Sequence, residues 1–306
     1  MAQRGEEQQI QAHQEERRGL IWAFCGFALL SCGDAVVKTI AGAWAPTAVA
    51  ATRYVIGALG LAILLAIREG RAGFAMPSPH LQLLRGFGVA IATVGFFAAI
   101  FVMPLAEATA ITFTSPMITS VLSAIFLGEK ARRETWLATL FAFAGVLIIL
   151  RPNFAELGLA ALLPLLSALG LSLLMVGNRA TAGKASPLAS QFFVAIVAAP
   201  MLVLAAIIGG LSGIGKLAVS LPDWTIIARC AVVALTASTA HWAIYQGTVR
   251  AGAAAIAPTS YVQLLVATLL GAALFGNLPD GITLLGATMI VAAGLWLWHS
   301  GRTQRL

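Results

Sequence analysis

Residues 105–151 read LAEATAITFTSPMITSVLSAIFLGEKARRETWLATLFAFAGVLIILR, and residues 251–298 repeat the plan of this stretch. The pattern Ala-x-Ala-Ile-x-x-Thr-Ser occurs at Ala108–Ser115 and again at Ala253–Ser260. Later correspondences are Leu127-Gly128-Glu129 with Phe275-Gly276-Asn277, and Gly145-Val146-Leu147 with Gly294-Leu295-Trp296. Because the matches keep their order and end in equivalent apolar segments, they indicate one unit used twice.

The composition is typical of a membrane protein. Hydrophobic residues make up 59% of the 306 residues and charged residues only 10%, whereas soluble domains carry about 25% charged residues. Cys25, Cys32 and Cys230 lie in apolar stretches, which favours small buried residues over a disulfide or metal framework. The net charge of +7 comes from basic residues spread between apolar runs, a pattern that favours membrane topology over nucleic-acid binding.

A helix that spans a membrane needs about 20 mostly apolar residues. We predict ten spans on this criterion, at 19–40, 46–67, 81–103, 105–127, 135–150, 157–178, 187–209, 223–247, 253–276 and 281–298. Apolar runs of this length, rich in Ala, Leu and Gly, favour helices over strands. The polar residues 1–18 predict a disordered tail, and their mixture of acidic and basic residues does not resemble a secretory signal. The expected fold class is an all-α integral membrane protein.

The distribution of Lys and Arg predicts the orientation of these spans. Fourteen lie on the side of the N-terminus: Arg4, Arg17, Arg18, Arg68, Arg71, Arg85, Lys130, Arg132, Arg133, Arg179, Lys184, Arg250, Arg302 and Arg305. Five lie towards the other side: Lys38, Arg53, Arg151, Lys216 and Arg229. The basic excess marks the cytoplasmic side, so both termini are predicted to be cytoplasmic. The repeated stretch then crosses the membrane in opposite directions in two five-helix halves, and such inverted repeats are typical of secondary transporters.

Ordered motifs along both halves make the chain similar to a known family. The first half contains Pro104-Leu105-x-x-Ala108-x-Ala110-Ile111, Ser115-Pro116, Leu127-Gly128-Glu129 and Gly145-Val146-Leu147-Ile148-Ile149-x-Arg151-Pro152. The second contains Ala257-Pro258-x-x-Tyr261-x-Gln263, Phe275-Gly276-x-x-Pro279-Asp280 and Gly286. With these motifs, residues 19–298 resemble the ten-helix EamA-type members of the drug/metabolite transporter superfamily. Asn277 departs from the family pattern, in which Glu commonly follows Gly, so no carboxylate role carries over to this position.

The resemblance implies both a domain organisation and an activity. Residues 19–152 would form the first EamA-type repeat and 153–299 the second, flanked by cytoplasmic tails at 1–18 and 300–306. The family resemblance implies transport of a small organic metabolite across the bacterial inner membrane, an amino acid, a nucleoside-like or a vitamin-like compound. Asp34-Ala35-Val36-Val37-Lys38 and Tyr261-x-Gln263 resemble the branch that contains S-adenosylmethionine and riboflavin transporters.

Charged residues within the predicted spans are candidates for substrate binding or ion coupling, because their insertion costs several kcal/mol. Asp34 and Lys38 are four residues apart and share one helical face. They form either a structural ion pair, with Lys38 extending to the outer interface, or a site at which Asp34 binds substrate or a proton. Arg53 is a candidate partner of Asp34 or a bidentate ligand for an anionic substrate group.

Polar residues beside prolines form a second set of candidates. Thr114 and Ser115 precede Pro116, while Tyr261 and Gln263 follow Pro258. Polar groups at a broken membrane helix often line a cavity, although small hydroxyls also join helices. His241 and Tyr245 share a face of span 8 that suits either a ring-bearing substrate or a packed interior.

These features favour a secondary transporter that alternately exposes a cavity lined by spans 1, 2, 4, 8 and 9. The sequence has no GxxxxGK[ST] loop for ATP and no HExxH motif for zinc, so we expect no cofactor or metal, with coupling to protons through Asp34. One alternative is an intramembrane aspartyl enzyme, suggested by Cys32-Gly33-Asp34, but Ser31 stands where that motif has glycine and no second Asp lies deep in a span. A membrane scaffold without transport activity is the other alternative. The partners expected are a small molecule and the lipid bilayer; substrate, direction and oligomeric state stay open.

Overall fold

The computed structural model describes residues 2–126, 133–181, 183–251 and 257–302, and over these ranges the chain is helical without a β-strand. The helices are α1 (Ala2–Lys38), α2 (Pro46–Glu69), α3 (Pro79–Val102), α4 (Leu105–Thr112), α5 (Ser115–Phe126), α6 (Arg133–Leu157), α7 (Leu163–Ala180), α8 (Pro187–Leu211), α9 (Trp224–Ala251), α10 (Val262–Phe275) and α11 (Gly281–Arg302). The predicted all-α class is confirmed for the described part of the chain.

Within the described residues, seven helical segments are long and apolar enough to cross a membrane: Arg17–Lys38, Pro46–Phe74, Pro79–Val102, Leu105–Phe126, Ala155–Ala180, Pro187–Leu211 and Trp224–Ala251. Three shorter apolar helices lie at Trp136–Leu150, Thr259–Phe275 and Gly281–Trp296. The seven correspond to predicted spans 1–4 and 6–8, and the shorter ones to spans 5, 9 and 10. The protein is therefore a multi-pass membrane protein, while the count of ten spans stays a prediction.

The N-terminal segment differs from its predicted disorder, because α1 begins at Ala2 and continues into the first span. Its Ala, Gln, Glu and Arg residues are strong helix formers, and extending an existing helix avoids the cost of nucleation. Arg18 Nη1 lies 2.9 Å from Glu15 Oε1, and Arg250 Nε of α9 lies 3.6 Å from Glu15 Oε2. The first pair lies within α1, and the second joins this segment to α9.

The helices pack in pairs at sites where glycine lets two backbones approach. The main pairs are α1 with α9, α3 with α7, α2 with α8, and α6 with α11. A Cβ atom on Gly170 of α7 would lie 2.5 Å from the backbone of Gly88 in α3, and one on Gly26 of α1 would lie 2.7 Å from the Ile244 side chain in α9. Small residues permit close packing of membrane helices in this way.

Predicted span 4 is broken into α4 and α5 at Phe113 and Thr114. Pro116 explains the position of the break, because proline fits the first turn of a new helix but not the interior of a continuous one. Span 9 is also irregular: a 3₁₀ segment at Ala257–Tyr261 precedes α10. The repeated residues Leu127-Gly128-Glu129 and Ala253-x-Ala255-Ile256, and the basic residues Lys130 and Arg132, lie outside the described residues.

The motif Phe275-Gly276-x-x-Pro279-Asp280 forms the connection between α10 and α11. Gly276 ends α10 with φ of 67°, a left-handed conformation that favours glycine. Asp280 immediately precedes α11, and its Oδ1 accepts a hydrogen bond from the Thr283 backbone N–H at 2.6 Å. This bond lowers the pKa of the exposed Asp280 carboxyl group. The motif therefore has a structural function at a helix end and an N-cap.

Candidate functional site

Asp34 and Gln263, from the first and last thirds of the chain, are in direct contact. Gln263 Nε2 donates a hydrogen bond to Asp34 Oδ2 at 3.1 Å. Gln263 stands at the second residue of α10, immediately after the 3₁₀ segment, and Asp34 lies near the end of α1. Since α1 packs against α10, the helix pairing holds the amide against the carboxylate. The structure thus brings together two residues that the sequence identified separately.

Arg53 of α2 lies near Asp34 but does not touch it. No Arg53 nitrogen is within 4.0 Å of a carboxylate oxygen in the described ranges, although its positive charge acts on Asp34, Cys230 and His241. The guanidinium carbon is 4.9 Å from the centre of the Tyr54 ring and 5.5 Å from that of Phe97. Arg53 is therefore stabilised by aromatic rings rather than by an ion pair.

His241 borders the same region from α9. Its side chain is exposed, and the positive charge of Arg53 acts on it. Tyr245, one helical turn further along, is also exposed, and within the described residues it forms no hydrogen bond to Asp34 or Arg53. Of the predicted α9 pair, His241 is the member near the two charges.

Lys38 is directed away from Asp34. Its Nζ donates a hydrogen bond to the Met103 carbonyl at 2.7 Å and lies 5.3 Å from the centre of the Phe275 ring. The negative charge of Glu107, in the first turn of α4, also acts on Lys38. Asp34 and Lys38 form no ion pair in the described structure, so Lys38 instead connects the ends of α1, α3 and α10. This leaves Asp34 available to other partners.

The two broken helices meet through their aromatic residues. The rings of Phe113, in the break of span 4, and Tyr261, at the end of the 3₁₀ segment, have centroids 5.3 Å apart. Gly294 of α11 has no side chain and leaves room for the Tyr261 hydroxyl beside it. Both irregular segments therefore lie side by side in the fold.

Thr114 and Ser115 take part in contacts within and between helices. Thr114 is buried and its Oγ1 donates to the Ile111 carbonyl at 2.8 Å. The Ser115 carbonyl accepts a hydrogen bond from Ser172 Oγ of α7 at 3.0 Å. The Thr114 hydroxyl thus bonds within its own turn, and the hydroxyl that joins two helices here belongs to Ser172, so both interpretations of Thr114 and Ser115 stay open.

A second polar cluster around Arg85 was not identified from the sequence, which counted this residue only as a topological charge. Arg85 is 4% exposed. Its guanidinium donates to Asn178 Oδ1 at 2.7 Å, to Ser190 Oγ at 2.7 Å and to Gln82 Oε1. The spacing of Gln82 and Arg85, three residues apart at the start of an apolar helix, was the available signal. The aromatic neighbours Tyr54 and Phe97 were also missed, because their apolar runs do not distinguish them from core residues.

The comparisons with known proteins agree with this fold. Residues 17–151 match the model of the EamA-like transporter family. The chain is 24% identical over 282 residues to the S-adenosylmethionine uptake transporter of Rickettsia bellii, covering 92% of this chain and 94% of that protein. It is 29% identical over 233 residues to the riboflavin transporter of Rhizobium johnstonii, covering 76% and 74%. A solved crystal structure superposes with a TM-score of 0.59 at 21% identity, covering 91% of this chain and 96% of its own.

These similarities decide between the functional classes that the sequence left open. The family match and the transporter relatives indicate a transporter and not an enzyme, so the intramembrane aspartyl enzyme is excluded. Residues 17–151 are thus similar to the EamA-like transporter family, and most of the chain is similar to bacterial metabolite transporters.

Proposed function

We propose that the protein is a secondary transporter that moves a small organic metabolite across the bacterial inner membrane by alternating access. The observation that supports this most strongly is the position of Asp34 and Arg53, two opposite charges on different membrane-spanning helices that lie near each other without an ion pair. A charge at the centre of a membrane helix costs about 2.5–3.5 kcal/mol on insertion scales. Unpaired charges at this cost are expected where a ligand or ion binds.

The proposed architecture consists of ten spans in two inverted five-helix repeats, 19–152 and 153–299, with tails 1–18 and 300–306 and both termini in the cytoplasm. The helix pairs support it. In such a repeat, span 1 corresponds to span 6 and span 3 to span 8. The pairing of α1 with α9, spans 1 and 8, then corresponds to that of α7 with α3, spans 6 and 3, and both pairs are present. Exchanging the two repeats leaves three further pairs unchanged, because each joins a span to its own counterpart in the other repeat. These pairs are α2–α8, α4–α10 and α6–α11.

The proposed site lies between the two repeats. Its candidate residues are Asp34, Lys38, Arg53, Thr114, Ser115, His241, Tyr245, Tyr261 and Gln263. Asp34, Gln263, Arg53 and His241 would contact the substrate: Gln263 bonds Asp34, and the charge of Arg53 acts on both Asp34 and His241. Tyr261, Thr114 and Ser115 would form the flexible breaks beside it, and Lys38 would hold the helix ends at the outer side. Such midplane sites at the interface of inverted repeats are typical of secondary transporters.

Proton coupling through Asp34 is part of the proposal. A protonated carboxyl group has no negative charge, so protonation would change both the electrostatics of the site and its affinity for a cationic group. Protons and substrate would then exchange at Asp34 during the cycle. This requires that Asp34 be reachable from water, which agrees with its partly exposed side chain.

Transport by purified protein in lipid vesicles tests the proposed function. The compounds to screen are S-adenosylmethionine, riboflavin, the standard amino acids and nucleosides. They are first ranked by thermal stabilisation, because a ligand at 100 times its Kd raises the free energy of unfolding by about 2.7 kcal/mol. We expect at least one labelled compound to enter vesicles with wild-type protein faster than protein-free vesicles, and more slowly with the Asp34→Asn, Arg53→Gln double variant. The same uptake by wild-type and protein-free vesicles for every compound would contradict the proposal and favour the scaffold alternative.

A further inference from the structure

We propose that Arg85 and Arg229 close the two ends of the fold in alternation. Arg85 holds the predicted cytoplasmic ends of the two repeats together in one state, and Arg229 holds the outer ends together in the other. The inference rests on the proposed function and deepens it by naming the contacts that control which side is open. The hydrogen bonds of Arg85 to Asn178 and Ser190 are called the inner latch, and that of Arg229 to Thr39 the outer latch.

The inner latch joins the first proposed repeat to the second. Arg85 lies within the first two turns of α3, Asn178 in the last turn of α7 and Ser190 near the start of α8. The guanidinium donates to Asn178 Oδ1 and to Ser190 Oγ, each at 2.7 Å. Because α3 belongs to the first repeat and α7 and α8 to the second, the repeats cannot separate at this end while these bonds are intact.

The inner latch has neutral acceptors, which suits a contact that forms and breaks. Arg85 is 4% exposed, yet in the described ranges none of its nitrogens lies within 4.0 Å of a carboxylate oxygen. Separating a buried ion pair would leave two uncompensated charges, whereas breaking this contact leaves one. Arg85 is only about 9 Å along α3 from Pro79, its first residue. Its long side chain can therefore extend to water at the helix end when the contact breaks.

Further hydrogen bonds join the repeats on the same side. Ser186 Oγ, at the N-cap of α8, donates to Glu69 Oε1 at the end of α2, at 2.6 Å. Lys184 Nζ, shortly before α8, donates to Ser78 Oγ, just before α3, at 3.2 Å. The predicted cytoplasmic ends are thus held by the buried Arg85 and by these bonds at its periphery.

Arg229 has the equivalent position on the opposite side. It lies within the first two turns of α9, and α9 packs against α1 as α3 packs against α7. Its Nη1 donates to the carbonyl of Thr39, the residue directly after α1, at 3.1 Å. In the same way Arg85 donates to the end of α7. The proposed inverted repeats exchange spans 1 and 6 and spans 3 and 8, so the two arginine contacts are counterparts.

The two latches differ in how completely they are formed. Arg85 is buried and bonded by side chains of three helices, whereas Arg229 and Thr39 are both exposed. The outer ends are also joined by a loop contact, in which Trp44 Nε1 donates to the Ser220 carbonyl at 3.0 Å. The inner latch is therefore closed in this structure, and the outer latch is only partly formed. In a protein with two states, weakening one latch is expected to favour the state that the other holds.

Hydrogen–deuterium exchange of the protein in lipid nanodiscs tests this proposal without a substrate. Amide exchange reports local opening, and it is read at the inner ends of α3, α7 and α8 and at the outer ends of α1 and α9. Ser190→Ala and Asn178→Ala each remove one acceptor of Arg85. We expect exchange at the inner ends to become about tenfold faster, because a hydrogen bond to a charged group is lost, and exchange at the outer ends to become slower. Arg229→Gln should do the reverse.

A contact that is only structural would give a different pattern, because loosening the fold speeds exchange without protecting the opposite side. Thr181→Ala is the matched control. Thr181 Oγ1 bonds the Gly177 carbonyl at 2.9 Å, on the same side as Asn178 but within one helix, so this variant should leave the outer ends unchanged. If Asn178→Ala does not fold, Ser190→Ala, on a different helix, carries the test. Inner-latch variants whose outer ends exchange at the wild-type rate or faster would overturn the proposal.

The same data separate the latches from the transporter function. Vesicle uptake of a compound, without opposite changes of exchange at the two ends, would overturn the latches and leave transport intact. Opposite changes without uptake of any compound would support the latches and overturn the proposed transport.

Discussion

Gln263 Nε2 and Asp34 Oδ2 are 3.1 Å apart, and this hydrogen bond joins α10 to α1 across 229 residues of sequence. The amide fixes the direction of a carboxylate on which the charge of Arg53 acts. We therefore expect Gln263 to affect function by orienting Asp34, and not by contact with lipid or with the outer ends of the helices.

Gln263→Leu should slow transport about tenfold, because a hydrogen bond to a charged group contributes roughly 1.5–3 kcal/mol and Asp34 would lose its orientation. Initial uptake rates in vesicles measure the effect. Thr268→Ala is the control and should keep the wild-type rate, since among the described residues Thr268 Oγ1 bonds the Leu264 carbonyl of its own helix. A Gln263→Leu protein that is folded and transports at the wild-type rate would show that this contact is dispensable.

Asp34→Asn should abolish the response of transport to a pH gradient, because the amide cannot gain or lose the proton. Uptake is measured at several pH values, with and without an imposed gradient, for wild type and the variant. We expect the gradient to stimulate wild-type uptake and to leave the variant unchanged. Wild-type behaviour of the variant under all of these conditions would remove the coupling role of Asp34.

Much of the fold could be predicted from the sequence, because the length of an apolar run reports a membrane helix directly. The prediction was less complete for individual segments. Pro116 indicated the break at Phe113 and Thr114, but no pattern in the sequence indicated that residues 2–18 are helical. That segment is polar, and it is helical because α1 continues through it from the first span. A pattern of hydrophobicity gives no information on such continuity.

The site was predictable as a set of residues but not as an arrangement. Asp34, Arg53 and Gln263 were found because polar groups in apolar spans are costly. Helical spacing placed Lys38 on the same face as Asp34, yet Lys38 turns to the Met103 carbonyl. Helical spacing shows which residues share one face of a helix. It does not show which neighbouring helix supplies the contact partner of each residue. For the same reason the aromatic contacts of Arg53 were not foreseen.

Lys38→Met should lower the stability of the protein by about 1–2 kcal/mol, because it removes a hydrogen bond from a charged, partly buried group. Lys38 holds the Met103 carbonyl at 2.7 Å, so its loss also loosens the contact between α1 and α3. The unfolding temperature in detergent measures this effect. Lys216→Met, at an exposed loop lysine, should match wild type. Equal unfolding temperatures for Lys38→Met and wild type would contradict the structural role.

Arg85→Leu should destabilise the protein by roughly 3 kcal/mol or more, because it leaves buried polar groups on three helices without their donor. Asn178 and Ser190 each lie 2.7 Å from the Arg85 guanidinium. Arg85→Lys should also destabilise, since one ammonium cannot reproduce the planar arrangement of donors. Thermal unfolding measures both variants, with the exposed Arg71→Leu as control. An Arg85→Leu protein as stable as that control would refute the role of the cluster.

Gly170→Ala should cost about 1–3 kcal/mol of stability, the usual range for overpacking in a tight interior. Its Cβ would lie 2.5 Å from the Gly88 carbonyl oxygen and from the Ala92 nitrogen, so α3 and α7 would have to move apart. Gly26→Ala should have a similar cost at the crossing of α1 and α9, where the Cβ would lie 2.8 Å from the Ala240 carbonyl oxygen. Gly57→Ala is the control: no atom lies within 4 Å of its Cβ, and alanine is the better helix former, so it should be neutral or slightly stabilising. The proposed inverted repeats would make the two crossings equivalent, so a large loss for one glycine and none for the other in thermal unfolding would contradict that proposal.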